Sequence, residues 1–290
     1  MKGVTMATAQ QISEATDEST SKEVLVRGIR IHYNEIGEGE PIICIHGGGP
    51  GATSWSNFRG NLQDLALNNR VILFDMPGWG RSEFPDDAID KEFIAWVGDI
   101  LSGFMEALSI GSADIIGNSM GGQAALGLAL QSPSKVKHMV MIGSQPSSVT
   151  FLQPTPQEAL ANIGKFYRGE GPTKEKMTIL AKSLVYDEAL VTDEVVEERF
   201  AAATTPEALE QYAKRIKQPR ADYYFELEKN SVPTLLVWGQ EDKGGSIETG
   251  FLMLKRFKNA QMYIFQKCGH WAQVEKRKEF DRVVLNFFES

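Results

Sequence analysis

Cysteine is nearly missing from this chain: only Cys44 and Cys268 occur in 290 residues. Each lies in or beside an apolar stretch, and neither belongs to a C-x-x-C pair or a metal-ligand spacing. Both are expected to be buried free thiols, which excludes a disulfide framework and a zinc site. Long apolar runs are missing too, since nothing approaches the ~20 residues a membrane-crossing helix needs. The first 22 residues, rich in Ala, Thr, Ser, Gln and Glu, lack the apolar centre of a signal peptide and read as a disordered tail. Basic clusters are absent, and 30 Lys and Arg against 38 Asp and Glu leave a net charge of -8. That balance argues against nucleic acid as a partner. The expectation is a cytoplasmic protein that binds neither nucleic acid nor membrane. Histidine is scarce as well, at four residues, so the search for a catalytic base is short.

What is present is an alternation of apolar strands and helices. Glu23–Arg27 and Ile29–Asn34 are β-rich and meet at Gly28, as in an antiparallel hairpin. Apolar runs at 41–45, 71–75, 113–116, 136–142, 232–238 and 261–265 read as strands buried on both faces. Helical periodicity covers Phe93 to Leu108, and an amphipathic helix over Lys276–Phe288 closes the chain. This order implies an α/β fold, a mostly parallel central sheet flanked by helices. From 145 to 231 the strands stop, and helical segments follow at Glu158–Tyr167, Lys174–Leu184, Asp193–Ala203 and Pro206–Lys217. An insertion of about 85 residues is too long for a plain connection. The expected organisation is a tail (1–22), a core (23–144 and 232–290) and an inserted helical cap (145–231).

The chemistry centres on Gly117-Asn118-Ser119-Met120-Gly121-Gly122, set between an apolar strand and a helix of small residues. Strand, sharp turn with Ser at its apex, then helix is the context of a nucleophile elbow. Its glycines permit a strained backbone that raises the hydroxyl above the sheet. A serine nucleophile needs a base. His32 lies in the hairpin, His138 inside a strand and His46 at the start of a glycine loop. His270 follows the last strand, at the carboxyl end where open α/β sheets bind ligands. The acid that orients it is expected to be Asp242, after strand 232–238, with Glu241 as its rival. The loop His46-Gly47-Gly48-Gly49-Pro50-Gly51 lacks the Lys-Ser/Thr of a phosphate cradle. It reads better as an oxyanion hole, in which the N–H of Gly48 or Gly49 acts with that of Met120.

Four stretches, HGGGPGATSWSN (46–57), GNSMGG (117–122), VTDEVVEERF (191–200) and KCGHWAQVE (267–275), resemble the meta-cleavage product hydrolases, members of the α/β-hydrolase fold. The resemblance runs from Val24 to the C-terminus. It implies Ser119 as nucleophile, His270 as base and Asp242 as its partner. It also implies that Asn57, Asn118, Arg199 and Trp271 surround the carboxylate and 2-oxo end of a small-molecule dienoate. The implied reaction is hydrolysis of a C–C bond in a ring-opened aromatic dienoate, with no metal and no organic cofactor. Members commonly assemble as homo-oligomers, dimers or larger. One departure stands out. Lys243-Gly244-Gly245-Ser246 replaces an apolar residue and a Val-Pro pair, so a looser loop is expected there. The competing readings are an ester or lactone hydrolase with the same triad and, more remotely, a non-catalytic ligand receptor. Candidate cap residues for the distal pocket are Phe151, Leu152, Ile163, Phe166, Met177, Leu184, Val185 and Phe200.

Overall fold

The apolar runs pair into one eight-stranded sheet in a computed structural model that describes residues 8–146 and 157–290. The strands are β1 (Ser21–Val26), β2 (Ile29–Ile36), β3 (Glu40–Ile45), β4 (Asn69–Phe74), β5 (Ala113–Asn118), β6 (Val136–Ile142), β7 (Thr234–Gly239) and β8 (Ala260–Phe265). They lie in the order β1-β2-β4-β3-β5-β6-β7-β8. β1 and β2 form the antiparallel hairpin expected around Gly28. Arg27 and Gly28, with φ of 50° and 85°, are both left-handed, which matches the twist of the two strands. β2 meets β4 antiparallel, and the remaining neighbours are parallel.

The chain steps from β3 out to β4, then returns to place β5 on the other flank of β3. The winding reverses there, and open sheets leave a crevice at the carboxyl ends of such strands. β3 delivers the glycine loop to that crevice and β5 delivers Ser119.

The longer helices are α1 (Phe93–Ala107), α2 (Met120–Gln131), α3 (Glu158–Phe166), α4 (Lys174–Ser183), α5 (Asp193–Ala203), α6 (Pro206–Arg215), α7 (Ile247–Arg256) and α8 (Arg277–Phe288). Successive strand side chains point to opposite faces, so each central strand feeds two cores. Ile43, Ile45, Phe74 and Met141 join one core with Val97, Leu101 and Phe104 of α1. Ile42, Cys44, Leu73 and Val237 join the other with Phe280 and Val284 of α8. Both cysteines are buried and free.

Helices α3–α6 lie between β6 and β7, in the stretch read as an insertion. Thr173, Thr192 and Thr205 start α4, α5 and α6 by accepting a hydrogen bond from a first-turn N–H. Phe166, Met177, Leu180 and Val196 give these helices a small core of their own. The disordered tail expected over 1–22 does not describe Thr8–Thr20. Thr8 and Thr16 build capping boxes that start two short helices, Ala9–Ser13 and Asp17–Thr20. Ile12 is buried among Phe58, Leu65 and their neighbours. A single apolar residue in a polar stretch supplies the anchor that composition averages away.

Candidate active site

Ser119 follows β5 and is the residue just before α2, with φ 53° and ψ -114°. A side chain at Gly121 would place Cβ 2.2 Å from the Ile45 carbonyl oxygen, and one at Gly117 would meet Gly121 and Gly122 backbone at 2.3 Å. Only glycine lets the helix start so close to β3. The strained serine is held from both sides: its N–H donates to Ile142 (2.7 Å), and its carbonyl accepts from Ser144 Oγ (2.7 Å).

His270 and Asp242 are both buried, and Nδ1 of His270 lies 2.9 and 3.0 Å from the two carboxylate oxygens of Asp242. Nδ1 therefore carries the proton donated to the carboxylate, and Nε2 is the nitrogen available as a base. Glu241, the rival acid, instead accepts from the Cys268 N–H at 2.9 Å. Contrary to the expected looseness, the loop Lys243-Gly244-Gly245-Ser246 is tied at three points. The N–H groups of Gly244 and Gly245 donate to Asp242 Oδ1 at 2.7 and 2.8 Å, and the Gly245 carbonyl accepts from Trp238 Nε1 at 2.8 Å. A Cβ at Gly244 would sit 2.9 Å from the His270 ring, so the glycine there makes room for the base.

The other histidines have different work. His32 pairs with Asp75 (2.8 Å) and His138 with Asp114 (2.8 Å). His46 accepts from the Met76 N–H through Nε2 (3.1 Å), so its Nδ1–H donates to the Gly47 carbonyl (2.7 Å). Burial lowers its pKa, which keeps the ring neutral in that tautomer. Gly47 N–H is 3.5 Å from Asn57 Oδ1. Among the described residues, the N–H groups of Gly48, Gly49 and Met120 have no partner. They are the donors an oxyanion would need.

Ser119, Met120, His270, Gly48 and Gly49 line one cavity of about 130 Å³, together with Asn57, Asn118, Arg199 and Trp271. Every candidate site residue except Asp242 therefore lines the same space, and Asp242 reaches it only through His270. Arg199, on α5, is buried at 5 % exposure rather than paired on the surface. Its Nη2 donates to the Pro50 carbonyl (2.9 Å), its Nε has no partner, and the guanidinium lies 5.0 Å from the centre of the Trp271 ring. Burial brings its pKa down to about 10, so it stays charged at neutral pH. Asn118 donates through Nδ2 to the Ile142 and His270 carbonyls, which leaves its unpartnered Oδ1 as an acceptor. Asn57 spends its Nδ2 on Thr53 and Ser56. A larger cavity of about 180 Å³ adjoins Asn57, Arg199 and Trp271 but does not include Ser119.

Of the cap residues read as pocket candidates, Ile163 and Leu184 line the cavity. Phe166 and Met177 are fully buried in the helical core, Phe200 packs against that core, and Val185 faces the larger cavity. Phe151 and Leu152 lie outside the described residues. Leu160 lines the cavity and was missed, as was Gly143, where a Cβ would meet Asp242 and His270 at 2.7 and 2.8 Å. The helical period of α3 carries a signal for Leu160, three residues before Ile163. Gly143 carries none, because its partners are remote in sequence. Among the described residues, no cluster of His, Cys, Asp and Glu is arranged to hold a metal ion, and no helix is long and apolar enough to cross a membrane.

A serine at a strained strand-to-helix turn, with a histidine and an aspartate after later strands, is the site plan of α/β-hydrolases. Residues 40–277 match the alpha/beta hydrolase fold family. A 2-hydroxy-6-oxononadienedioate/2-hydroxy-6-oxononatrienedioate hydrolase from Cupriavidus pinatubonensis is 35% identical, over 97% of this chain and 98% of its own. The 2-hydroxy-6-oxo-6-phenylhexa-2,4-dienoate hydrolase of Burkholderia cepacia is 32% identical, over 95% and 99%. The solved meta-cleavage product hydrolase from Pseudomonas fluorescens IP01, complexed with acetates, superposes with a TM-score of 0.82. It is 31% identical, over 92% of this chain and 97% of that one. The chain belongs to the α/β-hydrolase fold family and, within it, to the meta-cleavage product hydrolases.

Proposed function

We propose that this enzyme hydrolyses a C–C bond in 2-hydroxy-6-oxo-dienoates, the ring-fission products of aromatic degradation. The observation that carries the reading is the buried Arg199 guanidinium, which lines the same cavity as Ser119 and His270 and has no carboxylate partner among the described residues. A buried, uncompensated cation is costly unless a ligand neutralises it. A planar carboxylate fits a guanidinium.

In this reading the dienoate's carboxylate sits on Arg199, beside Trp271 and Asn57. Asn118 Oδ1, an acceptor, takes the substrate's 2-hydroxyl proton in a hydrogen bond. Ketonisation of the dienol activates the bond next to the distal ketone. Ser119, deprotonated by His270, attacks that ketone, and the N–H groups of Gly48 or Gly49 and of Met120 hold the resulting oxyanion. Asp242 keeps the imidazole in its working tautomer and stabilises the cation. The C–C bond breaks, its electron pair passes through the conjugated enone to the 2-oxo oxygen, and protonation of that oxygen releases a 2-hydroxypentadienoate. Water then hydrolyses the acyl-serine to a carboxylic acid. Helices α3–α6 act as a cap that supplies Arg199 and closes the cavity, and the protein works in the cytoplasm as a homo-oligomer.

The test is bleaching of a coloured ring-fission dienoate by the purified protein, with Ser119→Ala as control. Bleaching that is lost in Ser119→Ala is expected. Absence of bleaching alongside rapid turnover of simple esters would replace this reading with an esterase.

A further inference from the structure

We propose that the distal acyl group of the substrate is uncharged and apolar, alkyl or aryl, and that a dienoate with a second carboxylate at that end is rejected. This rests on the function proposed above.

The cavity has one carboxylate site. Among the described residues that line it, Arg199 is the only Lys or Arg, and His270 is engaged by Asp242. Beyond Ser119, His270, Arg199, Trp271 and the asparagines, its side-chain walls are Ala52, Met120, Leu160, Ile163 and Leu184. Arg59 and Arg277 line only the adjoining cavity, which does not include Ser119, and two further features close off other sources of positive charge. Residues 147–156, outside the described residues, contain no Lys, Arg or His. Arg220 lies nearby but is spent elsewhere. Its guanidinium stacks 3.9 Å from the Phe93 ring centre, Nη1 lies 3.4 Å from Gln123 Oε1, and Nη2 faces Met120 Sδ at 3.8 Å. Met120 stands between that cation and the cavity.

With the dienoate carboxylate on Arg199, a second carboxylate would have to give up water against aliphatic side chains without a counter-charge, which is strongly unfavourable. An alkyl or aryl group in the same place gains from burial. The chain thereby departs from its relatives named for a nonadienedioate, a diacid, although it shares their fold and family.

The experiment compares kcat/KM for three dienoates that differ only distally: isopropyl, phenyl and carboxyethyl. The better of the first two is expected to exceed the diacid by about tenfold or more. Leu160→Arg, at a half-exposed position that tolerates a charge without unfolding the helix, is expected to raise the diacid's relative kcat/KM by about tenfold. A diacid within tenfold of the best substrate overturns the proposal while leaving the C–C hydrolase reading intact. Loss of that diacid activity in Arg220→Gln would then identify the cation responsible. Failure to cleave any of the three overturns both.

Discussion

Asp281, on the inner face of α8, is fully buried, with Oδ1 accepting from Asn61 Nδ2 (2.7 Å) and Oδ2 unpartnered. Burial, reinforced by the neighbouring Asp64, pushes its pKa from 3.8 up to about 7. The folded protein therefore holds a proton that the unfolded chain releases above pH 3.8. The resulting stability is complete below that pH and disappears as pH rises through about 7. Asp281→Asn is expected to remove this dependence and to stabilise the protein at pH 8 by about 2 kcal/mol, read as a higher Tm. Asp242 acts through geometry instead. It anchors Nδ1 of His270 and is itself held by two backbone N–H groups. Asp242→Asn keeps the shape but presents the wrong hydrogen-bond pattern to the imidazole. A fall in kcat of about a thousandfold or more, with unchanged circular dichroism and little change in KM, is expected.

At the scale of elements, the short helix Ala9–Ser13 is an N-terminal brace rather than a tail. Ile12 is its buried anchor, at 3 % exposure. Ile12→Ala is expected to cost about 2–4 kcal/mol, measured by denaturant unfolding, without altering kcat. A change below about 0.5 kcal/mol would show that the helix does not contribute its packing to the folded state. The helices between β6 and β7 are attached to the sheet by contacts that converge on the site. Leu184 accepts the His270 N–H (2.8 Å), Lys243 accepts that of Ala159 (3.1 Å), and Arg199 reaches Pro50. The bidentate pair of Arg59 with Glu198 on α5 is exposed and contributes little by comparison.

For the molecule as a whole, ligand binding and folding are linked through the buried cation. A carboxylate that neutralises Arg199 stabilises the folded state by mass action, about 2.7 kcal/mol at a hundredfold excess over Kd. The product 2-hydroxypentadienoate is expected to raise Tm in the native enzyme. In Arg199→Gln the shift should shrink to near zero at the same concentration, since the guanidinium's charge is gone. An equal shift in both would place the carboxylate elsewhere.

The order of elements was legible in the chain. Buried strands read as unbroken apolar runs, the elbow and the glycine loop are contiguous motifs, and Ser119, Asp242 and His270 each follow a recognisable strand. These are local signals, set by side-chain periodicity and by backbone conformations that only glycine tolerates. Contacts between remote segments decided the rest. That Asp242 rather than Glu241 meets His270 depends on the turn taken by the glycine loop. That Arg199 is a buried cation facing Ser119 depends on where α5 lies over the sheet. The anchoring of Ile12, the need for Gly143 and the apolar wall from Leu160 to Leu184 share this origin. Sequence determined the reaction class because its motifs are short-range. Only the tertiary structure, by bringing distant helices onto the strand ends, decided what the cavity admits.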